Sequence, residues 1–115
     1  MMKVELIRTN GTSEQHEIKA HGASKRLEAC HRIAGCKTFD TVNLKDGRIM
    51  MVDDDGWETN TVDHGNGHIE IVPIAPKNGK TINPEATKIY HSICRPGTTH
   101  QIVGDVVIAL DEDFA

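Results

Sequence analysis

The sequence predicts an α+β fold, a mostly antiparallel sheet with two short helices packed on it. Short alternating apolar segments are separated by Asn10-Gly11 and Asp46-Gly47, dipeptides that favour tight hairpins. Two other segments place apolar residues at helical spacing, and each carries helix-stop or helix-start chemistry. The elements run roughly ββαββ and then βαβ, so strands come in adjacent pairs, as in α+β architecture. The 115 residues are enough for one domain, 1–115, and a domain of this size buries roughly two-thirds of its unfolded-chain surface.

Residues 3–8, KVELIR, put Val4, Leu6 and Arg8 on one face and predict the first strand; HEIKA (16–20) is the returning strand of its hairpin. Ser24 is a natural N-cap for KRLEACHRIA, in which Leu27, Cys30, Ile33 and Ala34 form one stripe and Gly35 suits the C′ stop. TFDTVNL (38–44) and RIMMVD (48–53) flank Lys45-Asp46-Gly47, and Asp53-Asp54-Asp55-Gly56 closes that hairpin. HIEIVPI (68–74) is a further alternating strand, followed by a loop over residues 76–80. In INPEATKIYHSIC (82–94), Asn83 is the N-cap, Pro84 fits the first helical position, and Glu85 complements the positive helix end. Ala86, Ile89, Tyr90 and Ile93 form its apolar stripe. QIVGDVVIAL (101–110) is a strand bulged at Gly104, and the tail DEDFA frays except where Phe114 anchors it.

A formal net charge of −4 argues against a DNA- or RNA-binding protein, which normally carries a basic face. No apolar run reaches membrane-spanning length and the N-terminus has no signal-peptide core, so the expected setting is the cytoplasm, with Cys30, Cys36 and Cys94 as free thiols. The potential metal ligands Cys30, His31, Cys36, His64, His68, His91 and Cys94 match no standard finger spacing, so no metal and no cofactor is expected. Asp53-Asp54-Asp55-Gly56 lacks the closing glutamate and flanking helices of a calcium loop. No nucleophile elbow, Walker loop or zincin motif occurs. Cys94 stands at a helix C-terminus, where the dipole opposes a thiolate. The chain is therefore expected not to be an enzyme.

The loop Arg95-Pro96-Gly97-Thr98-Thr99-His100 carries the most ligand-like chemistry. Arg95 offers a planar fork of donors for phosphate or carboxylate. Gly97 admits close backbone approach, the N–H groups of Gly97, Thr98 and Thr99 can share one concavity, and His100 adds a neutral donor. Tyr90, one helical turn upstream, and Trp57, from a neighbouring loop, are candidate stacking platforms for a base. Pro96-Gly97 is also an ordinary type II turn pair, and Tyr90 also fits the helix's buried stripe.

LKDGRIMMVDDDG (44–56), INPEATKIY (82–90) and CRPGTTHQIVGDVVI (94–108) together resemble small accessory domains of phages and prophages with a "DG…VDDDG…NPxAT…Y…GDVVI" pattern. In size and α+β make-up the chain also resembles phage anti-defence sponges of the Thoeris anti-defence type. That resemblance implies a viral, non-catalytic homo-oligomer that sequesters a cyclic nucleotide immune signal in the host cytoplasm. Small size and the apolar run IVGDVVIAL (102–110) also favour self-association. The alternative is an inhibitor module that docks its acidic surface on a basic host protein.

Overall fold

The structure, a computed structural model, describes residues 2–77 and 80–114. Its elements are β1 (Met2–Ile7), β2 (Ser13–Ile18), α1 (Ala23–Ala34), β3 (Phe39–Asn43), β4 (Arg48–Asp53), β5 (Trp57–Asp63), β6 (Ile69–Pro76), α2 (Pro84–Ile93) and β7 (Val106–Leu110), followed by a 3₁₀ turn at Asp111–Phe114. Five strands form a sheet in the order β2-β1-β7-β4-β3, and β5 with β6 forms a separate two-stranded ribbon. Every strand pairing is antiparallel, as the α+β expectation requires.

Alternation along the strands builds two cores rather than one. Val4 and Leu6 of β1, Ile49 and Met51 of β4 and Val107 of β7 meet Ala29 and Cys30 of α1. The intervening positions Met50, Val52, Val106 and Ile108 meet Ala86 of α2, with Ile89, Tyr90 and Ile93 against its flank. Because successive strand residues point to opposite faces, the helices cover opposite sides of the sheet. The unbroken run Ile49-Met50-Met51-Val52, buried at every position, is what a strand covered on both faces requires.

Several boundaries depart from the sequence reading. Trp57–Asp63 forms a strand although its polar residues show no apolar alternation; it is exposed on both faces and gained no signal from burial. Helix α1 is preceded by Gly22, with no side-chain cap, so Ser24 lies inside the helix instead of capping it. The start is held instead by Arg26, which donates to the carbonyls of Ala20 and Asp113 at 3.2 and 2.7 Å. That bond also ties down the tail, which forms a 3₁₀ turn with Phe114 against the core rather than fraying. The segment 101–110 is not one bulged strand: Gly104 breaks it, leaving a single bridge between Ile82 and Val103 before β7. Asn78 and Gly79 of the expected 76–80 loop lie outside the described residues.

Strand β7, whose apolarity favoured self-association, is the central strand, paired with β1 and β4 on its two sides. The exposed apolar surface sits elsewhere. On β6, Ile69, Ile71 and Ile74 are 61, 71 and 59% exposed, and the molecule is elongated, 53 × 29 × 27 Å. Among the described residues, no helix is long and apolar enough to cross a membrane.

Candidate functional site

Helix α2 delivers the loop that follows it. The Asn83 side chain accepts from the Ala86 N–H at 3.0 Å and donates to the carbonyls of Ile7 and Gly104, both at 3.0 Å. One turn on, the Thr87 hydroxyl accepts from the Ile102 N–H at 2.9 Å. These buried bonds pin segment 102–104 to the helix start. The motif residues Asn83 and Thr87 are thus committed to holding the fold, and so is Asp105, which accepts from the Thr9 N–H at 3.0 Å and faces Arg8 at 3.5 Å.

Residues 95–98 form a turn closed by the Thr98 N–H on the Arg95 carbonyl at 3.2 Å, with Gly97 at φ 90°. That φ is the left-handed value a type II turn demands at its third residue. The Thr98 hydroxyl donates to the same carbonyl at 2.8 Å. Thr98 therefore directs both of its donors into the turn, away from a shared anion cradle with Gly97 and Thr99. Arg95 is exposed and makes no ion pair among the described residues.

The aromatic half of the expected site does assemble. The His100 ring sits 6.0 Å from Tyr90, edge-on at 77°, and 5.9 Å from Trp57. The His91 Nε2–H donates to the His100 carbonyl at 2.7 Å, and the Trp57 indole N–H donates to the Gln101 carbonyl at 3.1 Å. The Tyr90 hydroxyl is pushed above its ordinary range, first by the neighbouring Cys94 and then by burial, and stays protonated.

Beside this cluster lies a notch of about 150 Å³ walled by Trp57 and His100, with Val52 and Ile102 in its floor and Asp40, Asp53 and Asp54 around it. Asp53 is partly neutralised by Lys80, whose Nζ lies 2.6 Å away. Among the described residues, no lysine or arginine lines the notch. Its size falls below the roughly 300–1,000 Å³ of sites that enclose small-molecule ligands. The three aspartates are the residues that sequence reasoning missed at this site. Asp40 pairs with Val52 across the β3–β4 hairpin, which brings it to the same end as Asp53, but nothing in its local sequence marks it.

A wider cleft of about 750 Å³ opens beside the notch. Its cations are countered by four carboxylates, Asp53, Asp54, Asp55 and Glu58, and Lys77 and Lys80 are tied to Asp55 and Asp53. Cys36 borders this cleft, and its thiol is pushed up to about 11 by burial first and by Asp53 second. A thiol so disposed is a poor nucleophile. No protein family, curated protein or solved structure gives a significant match to the chain.

Proposed function

We propose that this protein is a non-enzymatic interaction module whose acidic, aromatic notch receives a basic side chain of a protein partner. The observation that carries this reading is the lining of the notch: Asp40, Asp53 and Asp54 beside the ring of Trp57. A guanidinium or ammonium gains from both, by charge-assisted bonds to carboxylate and by attraction to the indole face. The chain's net charge of −4 steers a cationic partner toward it. The proposed setting, a phage-type accessory protein acting in the cytoplasm of a bacterial host, rests on the motif resemblance alone.

A second reading, sequestration of a small phosphorylated cyclic nucleotide, is favoured by the convergence of Tyr90, His100 and Trp57 and by the exposed Arg95. In that reading the phosphate lies on the Arg95 side of the cluster, because the carboxylates repel it from the notch.

Trp57 is the sole tryptophan, so intrinsic fluorescence reports on the site in either case. A short arginine-rich peptide should shift Trp57 emission saturably, and Asp40→Asn with Asp54→Asn should weaken binding by roughly tenfold or more, given about 1.5–3 kcal/mol per charge-assisted bond. A response to cyclic dinucleotides that Arg95→Ala abolishes, with none to the peptide, would establish the second reading instead. Silence toward both ligands at high micromolar concentration removes both.

A further inference from the structure

We infer that the tip of the β5–β6 hairpin is a binding site for a divalent transition-metal ion, with His64, His68 and Glu70 as its ligands. The site is separate from the notch and independent of the function proposed for it. The register creates it. Val62 pairs with Glu70 and Asp63 with Ile69, and the His64 N–H continues the ladder to the His68 carbonyl at 3.0 Å. His64 and His68 therefore face each other across the hairpin, and Glu70, two residues beyond His68, shares their face. One donor atom from each of the three lies within 4.8 Å of the others. His64 Nε2 is 3.0 Å from the Glu70 carboxylate, and the two imidazole rings are 5.2 Å apart.

A tetrahedral zinc with Zn–N bonds of about 2.0–2.1 Å separates its ligand atoms by about 3.4 Å. All three residues are exposed, which leaves their side chains room to rotate toward that spacing. The loop that joins the strands is braced by its own hydrogen bonds. The Asp63 carboxylate accepts from the Gly65 N–H at 2.8 Å, and the Asn66 side chain accepts from the His68 N–H at 3.1 Å. Gly65 and Gly67 both take φ 82°, a conformation that other residues strain to adopt. Two imidazoles and one carboxylate select zinc, cobalt, nickel or copper over the oxygen-seeking calcium and magnesium. Three protein ligands leave a fourth position for water or an incoming donor. The spacing rules that argue against metal in this sequence concern knuckles and helices. They do not test a pair of histidines placed opposite each other by a hairpin.

Calorimetric titration with Zn²⁺ alone, and optical titration with Co²⁺, test the site on the intact chain. One equivalent of zinc should bind, and the cobalt complex should show d–d bands without a thiolate charge-transfer band. His64→Ala with His68→Ala should weaken binding by at least about tenfold, the low end of what even an outer-shell partner contributes. Glu70→Gln should weaken it less, and zinc affinity should fall on acidification, since protons compete for the same imidazole lone pairs. Wild-type affinity in the double variant, a thiolate band at saturation, or no saturable binding at high micromolar zinc would each overturn the proposal.

Discussion

Asn83 has the most constrained single side chain, fully buried and engaged through both of its polar atoms. Asn83→Ala removes the α2 cap and strands the Ile7 and Gly104 carbonyls, which should destabilise by about 3 kcal/mol and lower Tm by roughly 10–15 °C. Asn83→Asp retains the cap acceptor but loses both donors, so thermal melts should show no rescue; full recovery by aspartate would mean that the cap alone matters. The cysteines give a second residue-scale test. Burial pushes the Cys30 thiol up to about 11, as it does that of Cys36, so only roughly a thousandth of either is thiolate at pH 8. Mass spectrometry after iodoacetamide treatment should find Cys30 and Cys36 unmodified in the folded protein, and all three cysteines alkylated once it is denatured. At this scale the sequence was readable where local chemistry decides the outcome: Asn83, Pro84 and Glu85 announce the helix start that forms. The notch itself was not readable: the β3–β4 turn brings Asp40 to the same end as Asp53, but only the long-range approach of Trp57 and residues 100–103 encloses the carboxylates.

Individual elements divide into those that carry the core and those that do not. Met50 is fully buried at the centre of β4, and Met50→Ala should cost about 3 kcal/mol in a chemical-denaturation experiment. In the monomer, Ile71→Ser on the exposed face of β6 should change stability by no more than about 0.5 kcal/mol. The β3–β4 hairpin was legible because Asp46-Gly47 sets its turn and the apolar run of β4 marks its buried strand. Strand β5 was not, since WETNTVD buries no face and gives no period to detect. That the two helices lie on opposite faces was recorded in the continuous apolar run of β4, but which helix takes which face depends on chain path. The break at Gly104 was half legible: the glycine marks an interruption, and only the Ile82–Val103 bridge shows that pairing is handed to another segment.

For the whole molecule, the exposed isoleucines of the β5–β6 ribbon are the ground for expecting self-association. Light scattering at high micromolar concentration should give a mass above the 12.7 kDa monomer, and Ile69→Ser with Ile71→Ser should restore the monomer; a monomeric wild type removes the expectation. Stability against pH follows from the surface pairs. The Glu14 carboxyl is held below its ordinary 4.5 by its bond to Arg8, and Asp55 below 3.8 by Lys77. Depressed folded-state values contribute stability above the unfolded values and lose it as pH falls through the folded ones. Tm should therefore be level from neutral pH to about 5 and decline below about 4.5, with a shallower decline at high salt, because these exposed pairs are screened.

The position of β7 at the middle of the sheet has a consequence for how the chain reaches its fold. The β1–β2 hairpin and the β3–β4 hairpin share no strand pairing with each other; both are joined through β7, whose residues Val106–Leu110 follow both hairpins along the chain. Until they emerge from the ribosome, the two hairpins have no common sheet, and isolated hairpins are marginally stable in water. Sheet formation thus waits for β7 and is governed by closure of long chain segments, which slows folding. A nascent chain stalled before Val106 should remain sensitive to protease, and one released past Leu110 should become resistant in a single step.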